Sequence, residues 1–301
     1  MGQSAMPQRG IALVLGAVFL FACQDAAGKY LFGHFAVPFV QAIRYGMNLL
    51  LLSLFLLPRR GLSVLQSDRK PLLIARGLAL ALGSLFGGLA LKLMPLAEMV
   101  SILYLNPLII LFLSMPILGE KVRWYGWVAT SVGFVGLLFI VRPGTGLSLT
   151  GLGFSFLCLL TAVIYPMLSR LLAKTETTET QMFYVALVGA VFYGVQVPWT
   201  LPAFVPTLFE SGLLLALGVI SLLGHFMFTA AYARAPVSLL APFTYVHIAW
   251  ATLLGWIIFR QTPDYLTFVG IGLVAAAGVG NAVLNHRSAR QATPAIEPVE
   301  A

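Results

Sequence analysis

The sequence predicts an all-α membrane protein with ten transmembrane helices, arranged as two inverted five-helix repeats around a central cavity. Three observations predict it. Of 301 residues, 59% are hydrophobic and 9% charged, where an ordinary soluble domain carries about 25% charge; the mean hydropathy is +0.94. The chain repeats itself at a spacing of 141 residues, which relates Pro95 to Pro236, Gly10 to Gly151, Lys29 to Arg170, Ala90 to Ala231 and Tyr104 to Tyr245. Lys and Arg also collect on one side of the apolar stretches. Internal symmetry over a hydrophobic chain is a signature of secondary transporters, whose substrate site lies between the repeats.

A membrane-spanning helix needs about 20 predominantly apolar residues, and ten stretches approach or exceed that length. The first repeat, 10–142, supplies spans 10–31, 37–57, 71–94, 96–116 and 124–141. The second, 151–284, supplies 151–173, 180–200, 210–234, 237–258 and 264–284. Residues 1–9 form a short leading segment, and the polar, aperiodic stretch 285–301 reads as a disordered tail. With the N-terminus in the cytoplasm, twelve Lys and Arg flank the cytoplasmic ends, from Arg9, Arg59 and Arg60 to Arg287 and Arg290. Four lie opposite, namely Lys29, Lys92, Arg142 and Arg260, while Arg44 and Arg76 fall within spans. The bias places both termini inside. An odd number of spans per copy then turns the second copy upside down. The net charge of +8 follows from this topology and excludes nucleic acid as a partner, because the basic residues flank spans instead of forming one soluble face. The bilayer is the expected partner.

Cys23 and Cys158 fall inside spans at non-equivalent repeat positions and read as small buried hydrophobes, not a disulfide. Cleavage at Cys23, as in a lipoprotein, would delete most of a span whose repeat partner is intact. No phosphate-binding G-x-x-x-x-G-K-[ST] motif, H-E-x-x-H motif or paired cysteines are present, so no cofactor, metal or catalytic residue is expected and the chain is not expected to be an enzyme.

The stretch Ala90-Leu-Lys-Leu-Met-Pro-Leu-Ala-Glu98, then Asn106-Pro107, Leu118-Gly119-Glu120, Gly133 and Gly136, resembles the EamA domain of the drug/metabolite transporter superfamily. The second copy answers with Ala231-Tyr-Ala-Arg-Ala-Pro-Val-Ser238 and Phe259-Arg-Gln-Thr-Pro263. It departs by placing Ile248 opposite Pro107 and Gln261 opposite Glu120. The resemblance covers nearly the whole chain and is greatest to the YddG-type amino-acid exporters. It implies an inner-membrane carrier in which spans 1–4 and 6–9 surround the cavity and spans 5 and 10 are peripheral. Independently, the small residues of spans 5 and 10, such as Gly136, Gly270 and Gly278, allow close helix approach, either within one molecule or in a weak homodimer.

Intramembrane polar groups are costly and face the bundle interior. In span 2, Gln41, Arg44, Tyr45 and Asn48 share one helix face. Asp25 and Lys29 sit four residues apart in span 1, Asp25 at a depth similar to Arg44, so an ion pair of Asp25 with Arg44 or Lys29 is the structural expectation. The functional alternative gives Arg44 or Lys29 a substrate carboxylate, and Asp25 a proton or an ammonium. Span 8 carries Ser221, His225 and Thr229 on one face, with Ser84 the repeat counterpart of His225. Span 4 contributes Glu98, Ser101, Tyr104 and Asn106, and span 9 Thr244, Tyr245, His247 and Trp250, with Asn106 the repeat counterpart of His247; Pro107 and Pro242 free backbone carbonyls there. Tyr165, followed by Pro166, is a further candidate. Arg44, Asn48, Ser84, Ser101, Tyr104, Asn106, Tyr165, His225, Thr229, Tyr245, His247 and Trp250 are therefore the expected substrate residues, and Asp25, Lys29 and Glu98 the expected charge-coupling residues. For Glu98, favourable placement at a helix N-terminus is the structural alternative.

The expected function is alternating-access export of amino acids, aromatic ones included, across the inner membrane, as a monomer or weak homodimer. A carrier of another small metabolite, nucleoside or cationic drug is the nearest alternative; a channel or a membrane-embedded enzyme is the alternative from another class.

Overall fold

A computed structural model describes residues 5–106, 109, 124–141, 148–172, 175–232, 234, 240 and 243–292. Among the described residues there are ten helices of eight residues or more and no strand. They are α1 Ala5–His34, α2 Val37–Arg60, α3 Lys70–Leu93, α4 Leu96–Leu103, α5 Trp124–Val141, α6 Leu149–Leu172, α7 Thr178–Gly194, α8 Leu208–Tyr232, α9 Val246–Phe259 and α10 Tyr265–Ala292. Five of the described helical segments, Gln8–His34, Val37–Leu65, Lys70–Leu93, Leu149–Ser169 and Leu208–Phe228, are long and apolar enough to cross a membrane.

Local sequence explains the helix ends. Pro38 and Pro71 open α2 and α3, where a missing N–H costs nothing. Ahead of α8, Thr207 Oγ1 accepts from the Glu210 N–H at 3.2 Å, and Glu210 Oε2 accepts from the Thr207 N–H at 2.8 Å, a reciprocal capping box. The Thr177 hydroxyl accepts from the Thr180 N–H ahead of α7.

Several sequence-based boundaries change. The stretch 96–116 is not one unbroken helix: α4 stops at Leu103 and the chain turns at Tyr104–Leu105. Span 237–258 is likewise interrupted at Tyr245, just before α9. Span 180–200 divides into α7 and a separate turn, Val197–Thr200. The expected disorder from 285 does not hold through Ala292, where α10 ends. Pro107, Glu120 and Pro242, and the side chains of Thr229 and Tyr232, lie outside the described residues.

The two halves interlock. The main partners of α1, α2, α3, α4 and α5 are α8, α7, α6, α9 and α10, each from the other copy. Three equivalent pairs meet, α2 with α7, α4 with α9 and α5 with α10, while α1 and α3 exchange partners, packing on α8 and α6; α2 and α7 run antiparallel. In α2 and α7, Tyr45 stacks on Tyr193 while Arg60 pairs with Glu179 at the other end. In α5 and α10, a Cβ on Gly136 would meet Gly270 O at 2.8 Å, and one on Gly270 would meet Gly136 O at 2.6 Å. Only glycine permits that backbone approach, so these small residues serve packing within one molecule. One end of the bundle is an apolar core containing Leu31, Phe32, Phe35, Val37, Val40 and Leu217. The other end carries polar groups.

Candidate functional site

The polar face of α2 converges on α3. Arg44 Nη2 donates to Ser84 Oγ at 2.8 Å, and Gln41 Nε2 donates to the Ser84 carbonyl at 3.1 Å. Tyr45 Oη and Ser84 Oγ share a hydrogen bond of 2.9 Å. The Arg44 guanidinium also lies 4.7 Å from the Tyr45 ring centre, a cation–π contact. One turn on, Asn48 Nδ2 approaches Ser221 Oγ of α8 at 3.5 Å. The helical period that put these four residues on one face thus ties α2 to both repeats. Buried atoms remain without described partners: Gln41 Oε1, Arg44 Nε and Asn48 Oδ1.

Beyond Asn48 lies a cavity of about 110 Å³, walled by Asn48, Arg76, Tyr165, Gln181 and His225, with Leu52, Leu80 and Leu222 among its apolar lining. Thr178, at its edge, is exposed. Arg76 was not among the candidate residues, yet it organises this wall. Its Nε donates to Ser169 Oγ at 2.7 Å, Nη1 to the Gln181 carbonyl at 2.9 Å and Nη2 to Tyr165 Oη at 2.6 Å. The guanidinium stacks 4.4 Å from the Tyr165 ring centre. The signal available in the sequence was an arginine inside an otherwise apolar run. Its partners all belong to the second copy.

A second polar cluster forms where α4 and α9 are interrupted. His247 Nε2 lies 3.2 Å from Asp25 Oδ2, an ion pair whenever the imidazole is protonated. Tyr104 Oη donates to the Thr244 carbonyl at 2.7 Å, and its ring lies 5.0 Å from Tyr245 and 5.8 Å from His247. Asn106 Oδ1 and Tyr245 Oη are buried without described partners.

The expected pairing of Asp25 with Arg44 or Lys29 is therefore corrected. Asp25 meets His247 because α1 packs on α9 as well as α8. Lys29 reaches the end of α3, where Nζ donates to the Leu91 carbonyl at 2.6 Å and to the Met94 carbonyl. A cation there complements the helix C-terminus. The Ser101 hydroxyl turns back on its own helix and donates to the Ala97 carbonyl at 2.6 Å. Trp250 packs edge-on against Phe19 at 4.9 Å. Glu98 is buried in the first turn of α4, with Oε2 lacking a described partner. Cys23 and Cys158 are free, and Cys158 Sγ donates to the Gly83 carbonyl at 3.2 Å. Among the described residues no group of three His, Cys, Asp or Glu side chains is placed to hold a metal.

Two interlocked helical copies with buried polar clusters between them define a multi-pass membrane transporter. The chain belongs to the EamA-like transporter family, which matches residues 8–142 and 149–281. It is 28% identical over 273 residues to the pseudopaline exporter of Pseudomonas aeruginosa strain UCBPP-PA14, covering 89% of this chain and 94% of that protein. It is 27% identical over 269 residues to an S-adenosylmethionine uptake transporter of Rickettsia bellii, covering 89% and 91%. It is 24% identical over 308 residues to a riboflavin transporter of Rhizobium johnstonii, covering 98% and 99%. A solved crystal structure matches with a TM-score of 0.66 at 21% identity over 95% of this chain and 100% of that one, which shows the fold alone. The family and these relatives are transporters, not enzymes. The narrower likeness to YddG-type amino-acid exporters is not what these relatives carry: their named cargoes are other metabolites.

Proposed function

We propose that this chain is an alternating-access secondary carrier of ten transmembrane spans in two inverted repeats, with both termini in the cytoplasm of a bacterial inner membrane. Its cargo is a small polar metabolite, and amino acids and their derivatives are the class that the site chemistry fits. One observation carries the reading: the polar cavity is walled by both copies, Asn48 and Arg76 from the first and Tyr165, Gln181 and His225 from the second. A site between repeats can change its exposure when one copy moves against the other. The antiparallel packing of α2 on its equivalent α7 supports inversion, and the helix interruptions at Tyr104–Leu105 and Tyr245 fit discontinuous transporter helices. In the proposed orientation the ends of α2 and α6 and the starts of α3 and α7 face the cytoplasm, so the cavity lies on the cytoplasmic side and the apolar core closes the outer side.

At about 110 Å³ the cavity is smaller than the roughly 300–1,000 Å³ that drug-sized ligands occupy. It suits one end of a metabolite, with the rest accommodated as the copies separate. The relatives include an exporter and an uptake transporter, so export is the proposal for this chain on the family resemblance of its motifs alone. The test is uptake and efflux in proteoliposomes for the twenty amino acids, S-adenosylmethionine and riboflavin, with and without a pH gradient. Saturable flux with counter-transport is expected for at least one. Non-saturating conductance would make it a channel, and absence of flux across the panel would reject this cargo class.

A further inference from the structure

We infer that the cavity binds its substrate through a carboxylate and that Arg76 is the residue that receives it. The inference rests on the carrier reading and deepens it by naming the group recognised. It starts from a charge inventory. Arg76 is 7% exposed and Arg44 is 8% exposed. Burying a guanidinium is expensive unless a charge or several acceptors compensate. Every described hydrogen-bond partner of Arg76 is neutral: the hydroxyls of Ser169 and Tyr165 and the carbonyl of Gln181. The described partners of Arg44 are likewise neutral, the Ser84 hydroxyl and the Tyr45 ring. None of the lining residues is acidic. The described carboxylate contacts lie elsewhere, Arg60 with Glu179 and His247 with Asp25, the latter an ion pair only when the imidazole is protonated. Among the described residues, then, the buried positive charge at this wall has no carboxylate in ion-pair contact.

The geometry is that of a prepared anion site. Three bonds and the Tyr165 ring fix the plane of the Arg76 guanidinium, and an arginine has more N–H donors than those three bonds use. A planar, oriented guanidinium suits two-point recognition of a carboxylate, which a lysine ammonium does not reproduce. Asn48, on the facing helix, contributes an amide, and His225 a ring nitrogen on the same wall. Arg44 stands one turn behind Asn48 with Nε buried and without a described partner. Its charge adds to the field in a low-dielectric setting. The repeat counterpart of Arg76 is Leu217, so the feature exists once, at the cavity end.

The purely structural alternative is that Arg76 only ties α3 to α6 and α7. Substrate preference separates the two. Purified protein is titrated with each of the twenty amino acids and its α-carboxamide, and with S-adenosylmethionine and its decarboxylated form, read by thermal stabilisation and by competition in proteoliposome flux. For any compound that binds, the carboxylate form is expected to act at a concentration lower by on the order of tenfold, the worth of one charge-assisted contact. Arg76→Gln is expected to bring that ratio towards one, Arg76→Lys to retain part of it, and Arg60→Gln to leave it unchanged. Should Arg76→Gln not fold, Tyr165→Phe frees the guanidinium from its 2.6 Å partner and is expected to lower the ratio. Equal action of both forms on the wild type overturns the inference while leaving the carrier reading intact, as does an undiminished ratio in folded Arg76→Gln. Failure of every compound in both forms rejects this cargo class and the inference with it.

Discussion

The cavity end of the bundle and its repeat counterpart are built on the same backbone plan from opposite chemistry. At the cavity end Arg76 gathers Tyr165, Ser169 and the Gln181 carbonyl. A shift of 141 residues turns these four into Leu217, Gln24, Gly28 and Val40. Leu217 is 2% exposed and Val40 fully buried, both in the apolar core with Leu31, Phe32 and Phe35. One end is thus a polar wall held by directed bonds, and the other an apolar plug held by close packing. Directed bonds fix a geometry for recognition. Apolar packing is non-directional, so this end can part and re-form with the Lys29 bonds to the Leu91 and Met94 carbonyls as its directed contacts. The proposed alternating-access carrier would need both properties, one at each end.

The comparison can be broken from either end. Leu217→Arg places a guanidinium where its counterpart's acceptors are missing. The expected cost is about 3 kcal/mol, read as a large fall in folded protein and in thermal stability after extraction. A stable, active Leu217→Arg would show that the plug is not the sealed apolar end described. Ser84→Ala removes the hydroxyl shared by Arg44 and Tyr45, with an expected loss of about 2 kcal/mol and reduced flux. Stability equal to wild type would mean that the α2–α3 polar seam contributes nothing. Gly189→Ala introduces a Cβ that overlaps the Tyr45 ring. The expected cost is about 1.5 kcal/mol, visible as a lower unfolding temperature. The smallest effect belongs to the second cluster. A double-mutant cycle of Asp25→Asn and His247→Gln is expected to give a coupling of about 0.5–1 kcal/mol in stability. Strict additivity would show that their 3.2 Å proximity is energetically idle.

Much of the scaffold was legible because apolar runs and repeat spacing are properties of the chain alone. The five segments able to span, including Lys70–Leu93 and Leu149–Ser169, coincide closely with their sequence-based counterparts. Helix interruptions were legible in part: Pro107 and Pro242 signalled lost backbone bonds in this helix pair, while hydropathy alone did not place the turns at Tyr104–Leu105 and Tyr245. The face of Gln41, Arg44, Tyr45 and Asn48 was legible from helical period, since a polar stripe in an apolar helix has to find partners. Which partners it finds is a matter of packing between copies. Asp25 and Arg44 have similar sequence depth, yet Asp25 turns to His247 across the repeat. Arg76 lacked a polar stripe on its own helix, and Tyr165, Ser169 and Gln181 lie 89 to 105 residues away in sequence.

The central claim is that the plug must open for transport. Phe35 of the plug lies against Phe204 of the loop ahead of α8, ring centres 5.5 Å apart and planes tilted by 35°. In a background where Cys23 and Cys158 are replaced by alanine, Phe35→Cys with Phe204→Cys, joined by a short cleavable thiol cross-linker, clamps that end shut. Proteoliposome flux of a carried compound is expected to fall to the protein-free background on cross-linking and to return on cleavage. Undiminished flux through the cross-linked protein would contradict alternating access at this end.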